Sequence, residues 1–235
     1  MLIVGFPAGP WATNCFVVAP GPNSECIIID PGKDVVPGID DILREHNLEP
    51  AAVVLSHGHL DHMWSVLPVC GSHHIPAYIH PDDRKLLADP MLGISGETKA
   101  AFESMTGGRL QFSEPDDVQE LVDGSKLDLA GVQFTVDHAP GHTPGSTAFR
   151  LDANAADPPV MFSGDLLFEG SIGRTDLPGG SLSQMRESLK RVVIPLDDET
   201  VVLPGHGGAT TIGKERLTNP YLAEFNSPAA PTKGL

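Results

Sequence analysis

The stretch Ser56-His57-Gly58-His59-Leu60-Asp61-His62 decides how the rest of this sequence is interpreted. It follows the apolar run 52–55, which predicts a buried strand. Side chains two positions apart on an extended segment lie on the same side, so His57 and His59 would present their imidazoles together. Asp61 and His62 follow with a different orientation. One tight turn could therefore face two metal ions. A histidine-rich surface loop would have the same sequence pattern and is the alternative interpretation.

Three later polar clusters also follow apolar runs that predict strands. His142 lies in the rigid loop Pro140-Gly141-His142-Thr143-Pro144-Gly145, Asp165 follows the strand 160–162, and His206 follows the strand 201–203. Along the chain, His142 lies 80 positions after His62, Asp165 lies 23 after His142, and His206 lies 41 after Asp165. Such distant residues can meet only where strand ends lie side by side at one sheet edge. The sequence therefore predicts a single site, and this favours a metal centre over a surface loop.

Imidazole and carboxylate ligands suit zinc, iron or manganese better than calcium or magnesium. The three cysteines, Cys15, Cys26 and Cys70, show no CxxC spacing, which argues against a thiolate metal site or a disulfide framework. We therefore expect two divalent ions, with zinc the first choice and iron or manganese as alternatives.

Composition excludes several classes of protein. Of the 235 residues, 40% are hydrophobic and 20% charged, as in an ordinary globular protein, and no apolar run reaches the ~20 residues that cross a membrane. A net charge of −16 with scattered basic residues disfavours nucleic-acid partners. The N-terminus lacks the basic region of a secretory signal, so we expect a cytoplasmic protein without a membrane partner. Length favours one domain over residues 1–226, with a frayed tail over 227–235.

Periodicity predicts a mixture of strands and helices. Ile39, Ile42, Leu43 and His46 would line one helix face, and Ser181 with Gln184 has the spacing of a capping box that begins another helix. We expect a mobile loop over 89–108. The predicted strands are 2–4, 15–18, 26–29, 52–55, 160–162, 201–203 and an antiparallel meander over 118–121, 126–129 and 132–136.

The combined pattern of these ligands resembles the signature of the metallo-β-lactamase superfamily over nearly the whole chain. That resemblance implies a four-layer αβ/βα sandwich of the α/β (α+β) class, with two mixed sheets and outer helices. Further motifs are similar to the glyoxalase II-like branch, the hydroxyacylglutathione hydrolases. They are Gly173-Arg174-Thr175-Asp176-Leu177-Pro178-Gly179-Gly180, Pro204-Gly205-His206-Gly207-Gly208, Thr210-Thr211-Ile212-Gly213, Glu215 and Asn219-Pro220.

The resemblance assigns a role to each predicted ligand. It implies that His57, His59 and His142 hold one metal, that Asp61, His62 and His206 hold the other, and that Asp165 bridges them. Asp61 and Asp165 would be the catalytic carboxylates of a thioester hydrolase, acting on a 2-hydroxyacyl conjugate of glutathione or another small thiol. Longer glyoxalase II enzymes add a C-terminal helical domain that contacts glutathione, whereas 29 residues follow His206 here, so the identity of the thiol stays open.

Side chains near the ligand clusters are candidates for substrate contact. Arg174 could bind a substrate carboxylate, or it could form an internal salt bridge. Phe168 and Trp64 could each form a pocket wall or belong to the core. His138 could orient a metal ligand, and for the remaining histidines we favour a structural role.

Three alternatives to thioester hydrolysis remain. A persulfide dioxygenase would use a single iron held by two histidines and one carboxylate. A lactamase or lactonase would keep the two metals and change the substrate. A non-enzymatic metal-binding member would keep the fold, but retention of all seven ligand positions argues against it. In the enzymatic cases the partner is a small molecule.

Overall fold

The strands of this computed structural model begin at the N-terminus and recur along the chain, and the structure describes residues 1–96, 99–100, 111–153 and 157–225. In chain order the strands are β1 (Leu2–Ala8), β2 (Thr13–Ala19), β3 (Glu25–Ile29), β4 (Glu49–Val54), β5 (Ala77–Ile79), β6 (Val118–Glu120), β7 (Lys126–Leu129), β8 (Val132–His138), β9 (Thr147–Leu151), β10 (Val160–Gly164), β11 (Leu167–Phe168), β12 (Ser171–Ile172), β13 (Val201–Pro204) and β14 (Thr210–Thr211).

Helices connect and flank these strands. The α-helices in the described part of the chain are α1 (Val36–His46), α2 (Leu60–Met63), α3 (Val66–His73), α4 (Pro81–Ala88), α5 (Leu182–Ser188) and α6 (Ile212–Thr218). A π-helical turn, Leu189–Val193, continues α5, and 3-10 turns occupy Pro90–Gly93 and Ala223–Phe225. No helix among the described residues is long and apolar enough to span a membrane.

The strands form two mixed sheets and a small hairpin. The first sheet has the order β1-β2-β3-β4-β5-β6, antiparallel from β1 to β3 and parallel from β3 to β6. The second has the order β14-β13-β10-β9-β8-β7, in which only β10 and β13 run parallel. Strands β11 and β12 pair with each other. The two mixed sheets predicted from the sequence are confirmed.

Alternation along the strands produces four layers. Phe16 of β2 points between the sheets, where its ring lies 5.2 Å from that of Phe162 of β10. Its neighbour Val17 points to the opposite face and packs in one core with Ile39 of α1. On the outer face of the second sheet, Met161 packs with Met185 of α5. The helix–sheet–sheet–helix sandwich is therefore confirmed.

Helix α5 begins where the sequence predicts. The Ser181 hydroxyl accepts a hydrogen bond from the Gln184 backbone N–H at 3.4 Å, and Met185 and Leu189 are buried. Leu182, which shares their predicted face, is 51% exposed. The helix packs on the sheet from its second turn onward, so the apolar spacing overstated the buried face by one residue.

The predicted three-stranded meander is wrong for its first strand. β6 pairs in parallel with β5 in the first sheet, whereas β7 and β8 pair in the second. Leu121, buried between the sheets, and the Asp123-Gly124 turn carry the chain from one sheet to the other. A turn dipeptide reverses the chain direction, but the burial of Leu121 decides which sheet the strand joins.

Two predictions fall largely on residues outside the described part of the chain. Of the expected mobile loop 89–108, the structure describes the 3-10 turn Pro90–Gly93 and its immediate successors, but not 97–98 or 101–108. The expected tail 227–235 also lies outside the described residues.

Candidate metal centre

The four polar clusters meet at one end of the two sheets. The turn after β4 lies opposite the ends of β8, β10 and β13, so both sheets contribute ligands. Three overlapping groups of three residues at this end have nitrogen or oxygen atoms within 4.8 Å of one another. The first group is His57, His59 and His142, the second is Asp61, His62 and His206, and a third, His57, His62 and Asp165, spans the two. The structure thus brings together all the residues that the sequence singled out as metal ligands.

In the first group the imidazoles face one another at short range. His59 Nδ1 lies 2.8 Å from His142 Nε2, and the rings are perpendicular. His57 is 1% exposed, and its Nε2 has no hydrogen-bond partner. Because a buried nitrogen without a partner is costly, this geometry suits a cation that the lone pairs can share.

The second group adds a carboxylate to two imidazoles. His206 Nε2 lies 3.1 Å from Asp61 Oδ2 and 3.3 Å from His62 Nε2. A mixed nitrogen and oxygen set of this kind suits zinc, iron or manganese.

Asp165 lies between the two groups. One carboxylate oxygen, Oδ1, is 3.4 Å from His62 Nε2, and the other, Oδ2, is 3.4 Å from His142 Nε2. Oδ1 is also buried without a hydrogen-bond partner. The donor set and these partnerless atoms fit two cations side by side with a shared carboxylate.

The electrostatics of the first group favour neutral imidazoles. Burial, followed by the neighbouring histidines, holds the pKa of His57 well below its usual range. Burial and His142 lower the pKa of His59 to about 3. Both rings are therefore unprotonated at neutral pH, which is the state that binds metal ions.

The carboxylates dominate the second group. Burial alone would lower the pKa of His62, but Asp61, Asp165 and Asp30 outweigh it and raise that pKa. Burial alone would raise the pKa of Asp165, but His62 and His142 outweigh it and lower the pKa, so the carboxylate stays ionised. Without a metal ion the carboxylates therefore favour protonated imidazoles in this group, and a bound cation would take the place of those protons.

Asp30 orients the first-sheet histidines, although it is not among the site residues predicted from the sequence. Its Oδ2 accepts hydrogen bonds from His62 Nδ1 at 3.0 Å and from the Ser56 hydroxyl at 2.6 Å. Ser56 Oγ in turn lies 3.0 Å from His57 Nδ1. Asp30 directly follows strand β3, as the predicted ligands follow theirs, and that position was the available signal.

Asp83 joins the two ligand loops from behind. Its fully buried carboxylate accepts hydrogen bonds from the Gly58 N–H at 2.9 Å, the Gly145 N–H at 2.8 Å and the Thr143 hydroxyl at 2.6 Å. Each bond fixes the loop that carries His57 and His59 or the loop that carries His142. Sequence reasoning missed this residue.

Main-chain carbonyls orient the second-sheet histidines. His142 Nδ1 donates to the Arg174 carbonyl at 2.8 Å, and His206 Nδ1 lies 3.2 Å from the Trp11 carbonyl. These contacts leave Nε2 of each ring facing the centre. The motif around Arg174 therefore contributes through its backbone.

Glu215 and Asn219, quoted for the glyoxalase II-like pattern, support the hairpin beside the centre. Buried Glu215 accepts hydrogen bonds from the Gly170 N–H at 2.7 Å and from Asn219 Nδ2 at 2.9 Å. Asn219 Nδ2 also donates to the Ser171 carbonyl at 3.0 Å. The hairpin β11–β12 carries Phe168, so this pair holds one wall of the adjacent cavity.

A cavity of about 530 Å³ opens onto the cluster, and His59, Asp61 and Asp165 border it. Much of the remaining wall is apolar. The apolar part of the wall includes Trp11, Ile94, Phe168 and Leu177. The cavity is large enough for a small organic substrate next to the metal positions.

Of the three candidate substrate contacts, two border the cavity and one packs behind its wall. Phe168 is a cavity wall, with its ring 6.1 Å from that of His206. Trp64 packs on Trp11 with ring centroids 6.2 Å apart, behind the cavity surface. Arg174 borders the cavity, and its side chain pairs with Asp176, its Nε 2.7 Å from Oδ1.

His138 contacts the His142 loop instead of a ligand ring. Its Nε2 lies 2.8 Å from the Pro144 carbonyl, and its ring stacks on His80 at 3.8 Å and 5°. His80, Asp82 and His138 also have potential ligand atoms within 4.8 Å of one another. Lone pairs in two parallel planes cannot converge on one ion, so this second cluster is a poor metal site as arranged.

Comparison with known proteins agrees with this geometry. The family model of the metallo-β-lactamase superfamily matches residues 8–206. An uncharacterised protein of Mycobacterium tuberculosis is 47% identical over 94% of this chain and 98% of its own length. Hydroxyacylglutathione hydrolase GloC of Haemophilus influenzae is 32% identical over 92% of this chain and 95% of its own length.

Solved structures share both the fold and a substantial part of the sequence. The B3 metallo-β-lactamase BLEG-1 is 36% identical, with a TM-score of 0.80 over 94% of this chain and 99% of its own. A protein crystallised in a di-iron-bound form is also 36% identical, with a TM-score of 0.74 over 93% of this chain and 100% of its own. The chain belongs to the metallo-β-lactamase superfamily, whose members are metal-dependent hydrolases.

Proposed function

We propose that this protein is a dinuclear-metal hydrolase of thioesters, such as a 2-hydroxyacyl conjugate of glutathione or another small thiol. The observation that carries the two-metal proposal is the position of Asp165, whose two oxygens each lie 3.4 Å from a histidine of a different group. A single-metal site would not need a shared carboxylate between two complete ligand sets.

The first two groups support the ligand roles that the resemblance implies. His57, His59 and His142 would hold one ion, Asp61, His62 and His206 the other, and Asp165 both. Two bound divalent ions would lower the pKa of a bound water toward about 7 and polarise a carbonyl oxygen. We propose zinc, and the di-iron-bound structure keeps iron as the main alternative.

The chain's own residues prepare the site for this chemistry. Asp30 and Asp83 fix the ligand loops through hydrogen bonds, so the imidazoles need little reorganisation. Phe168 and the other apolar wall residues shield the bound ester from bulk water. A thiolate, with a thiol pKa of about 8.5, leaves without much help from a general acid. The likeness to GloC further supports a thioester substrate.

β-Lactam hydrolysis is the second candidate. The 36% identity to a B3 metallo-β-lactamase over nearly the full length of both chains favours it. The two candidates share metals and ligands and differ in the leaving group, which for a lactam is an amine that requires protonation.

The test is a substrate panel on zinc-loaded protein with metal analysis of the same sample. We expect two metal ions per chain, hydrolysis of S-lactoylglutathione or another S-lactoyl thioester, and slower turnover of a chromogenic cephalosporin. Preferential cephalosporin turnover would favour the second candidate. One iron per chain with oxygen uptake on glutathione persulfide would instead establish the dioxygenase alternative.

Asp165→Ala tests the shared ligand directly. We expect loss of at least one metal ion per chain and about a thousandfold lower kcat/KM, because one deleted carboxylate weakens both positions. Circular dichroism should show an intact fold. Asp41→Ala, at an exposed helical position paired only with Arg44, is the matched control and should keep both metals. Full metal content and activity in Asp165→Ala would refute the bridging role.

A further inference from the structure

We propose that the thiol half of the substrate is uncharged and presents an apolar face to the cavity, unlike glutathione with its two free carboxylates. This inference rests on the proposed thioester hydrolysis and narrows it. It follows from what the described cavity wall offers to the part of the substrate that lies beyond the reacting ester.

The first observation is a supported aromatic surface at the cavity. Trp11 is 42% exposed and borders the cavity, while Trp64 packs behind it with ring centroids 6.2 Å apart. Trp64 packs in turn on Phe112 at 5.5 Å. An exposed tryptophan held from behind is an ordered apolar contact surface, and such surfaces at pockets indicate apolar ligand groups.

Ile94, Phe168 and Leu177 extend the apolar character of the same wall. A carboxylate laid against such a surface loses water without gaining a hydrogen bond, which is unfavourable. An uncharged group loses less on transfer, and its carbon atoms gain contact with the rings.

The second observation concerns the cationic side chain of this wall. Outside the metal-ligand cluster, Arg174 supplies the cationic group among the described residues that border the cavity. Its Nε donates to Asp176 Oδ1 at 2.7 Å and its Nη2 to Asp176 Oδ2 at 2.8 Å. Asp176 therefore occupies the bidentate face that a substrate carboxylate would use.

Two further basic side chains, one over the Trp64 ring and one paired with the residue that follows Phe168, also form salt bridges. Lys33, which lies over the Trp64 ring at 5.5 Å, donates to Asp34 at 2.8 Å, and Lys214 pairs with Glu169. The chain as a whole carries a net charge of −16. Beyond the metal positions, a carboxylate in the described part of this cavity would thus meet cations that already pair with carboxylates, on a chain of negative net charge.

The experiment compares two substrates that differ only in charge. S-lactoyl-N-acetylcysteine has a free carboxylate, and its carboxamide has the same shape without the charge. With the zinc-loaded protein we expect kcat/KM for the amide to be at least tenfold higher, mainly through KM. Raising the ionic strength should reduce the ratio of kcat/KM for the amide to kcat/KM for the acid, because salt screens the repulsion between the substrate carboxylate and the negatively charged protein.

Two variants place the effect at the proposed residues. Asp176→Asn frees Arg174, so kcat/KM for the acid should rise several-fold while that for the amide stays unchanged. Trp11→Ala should raise KM for both substrates several-fold without loss of metal, since the Trp11 group that His206 Nδ1 contacts is the main-chain carbonyl, which the substitution keeps. Asp41→Asn, with an exposed side chain on α1, is the surface control.

The outcomes separate this inference from the function on which it rests. Equal or better turnover of the acid, with a selective loss on Arg174→Gln, would overturn the uncharged-thiol proposal and leave thioester hydrolysis standing. S-lactoylglutathione turned over better than the amide would do the same. No hydrolysis of any of the three thioesters by the two-metal protein would overturn both.

Discussion

The imidazoles from the first sheet and those from the second are oriented by different kinds of partner. In the first half of the centre, His62 donates to the carboxylate of Asp30, which also holds Ser56 beside His57. In the second half, His142 and His206 contact main-chain carbonyls. Two halves that serve one site therefore depend on the rest of the chain in different ways.

This difference predicts where each half is vulnerable. A carboxylate behind a histidine increases the basicity of the ligand and is removed by one side-chain substitution. A carbonyl cannot be deleted, so the second half is open mainly to changes that displace the backbone. Gly173 is such a position, because an added Cβ would lie 1.9 Å from the Asp165 carbonyl oxygen and 3.2 Å from His142 Nδ1.

Among the residues that orient the ligands, Asp30 is the one whose replacement by alanine is expected to have the largest effect. Asp30→Ala removes the acceptor of three hydrogen bonds and leaves His62 and Ser56 without their buried partner. We expect the ion held by Asp61, His62 and His206 to bind about a hundredfold more weakly. We also expect a free energy of unfolding lower by about 3 kcal/mol. Zinc titration and urea unfolding measure the two effects.

Asp34→Ala is the control for this change, because its exposed carboxylate pairs only with Lys33. It should leave both measurements unchanged. Zinc affinity in Asp30→Ala equal to that of the unaltered protein would show that buried carboxylates do not govern the first half.

Gly173→Ala should displace His142 in the second half while leaving the hydrogen bonds of Asp30 in the first half intact. The methyl group would push the chain away from Asp165 and His142, at a cost of about 1–3 kcal/mol for overpacking. Metal analysis should show loss of the ion held by His142, with kcat/KM reduced at least tenfold. Gly71→Ala adds the same methyl in α3, where no described atom from outside that stretch of helix lies within 4 Å of it, so it should be harmless. A two-metal, fully active Gly173→Ala protein would contradict the proposed sensitivity of the backbone.

Asp83→Asn tests the connection between the halves. All three groups that contact this carboxylate are donors, so an amide NH2 in place of one oxygen must face a donor. We expect kcat/KM about tenfold lower and a free energy of unfolding about 2 kcal/mol lower. Asp82→Asn, the exposed neighbour on the same helix, is the control.

A double-mutant cycle sharpens that test. If Asp83 couples the halves, the losses from Asp83→Asn and Gly173→Ala should not add, because both displace the His142 loop. Additive losses in kcat/KM would mean that the two loops are held independently.

The sequence predicts the ligands more readily than the groups that hold them. Each ligand cluster stands at the end of an apolar strand, so local pattern and position in the fold coincide, and the resemblance added the pairing. Asp30 shares that position and could have been recognised. Asp83 could not, because it lies beside Asp82 at the start of a charged helix, and only tertiary contact buries one of the two.

The same limit explains the misassigned strand β6. Turn dipeptides on either side of 126–129 mark where the chain reverses, and that much was correct for β7 and β8. Which sheet receives 118–120 depends on Leu121 reaching the core between the sheets, a contact with residues far away in the sequence. The local sequence carries little information about which sheet a strand joins.

Ser56→Ala should have the smallest effect of the series and separates charge from hydrogen bonding in the first half. It deletes the hydroxyl between Asp30 and His57 but keeps the Ser56 backbone bond to Asp30 Oδ1 at 2.7 Å and the His62 bond at 3.0 Å. We therefore expect only the ion held by His57 to bind more weakly, by about tenfold, while the second ion is unaffected. Sequential zinc titration resolves the two steps. An equal loss at both steps would mean that Ser56 positions Asp30 itself, so that the carboxylate and hydroxyl act as one unit.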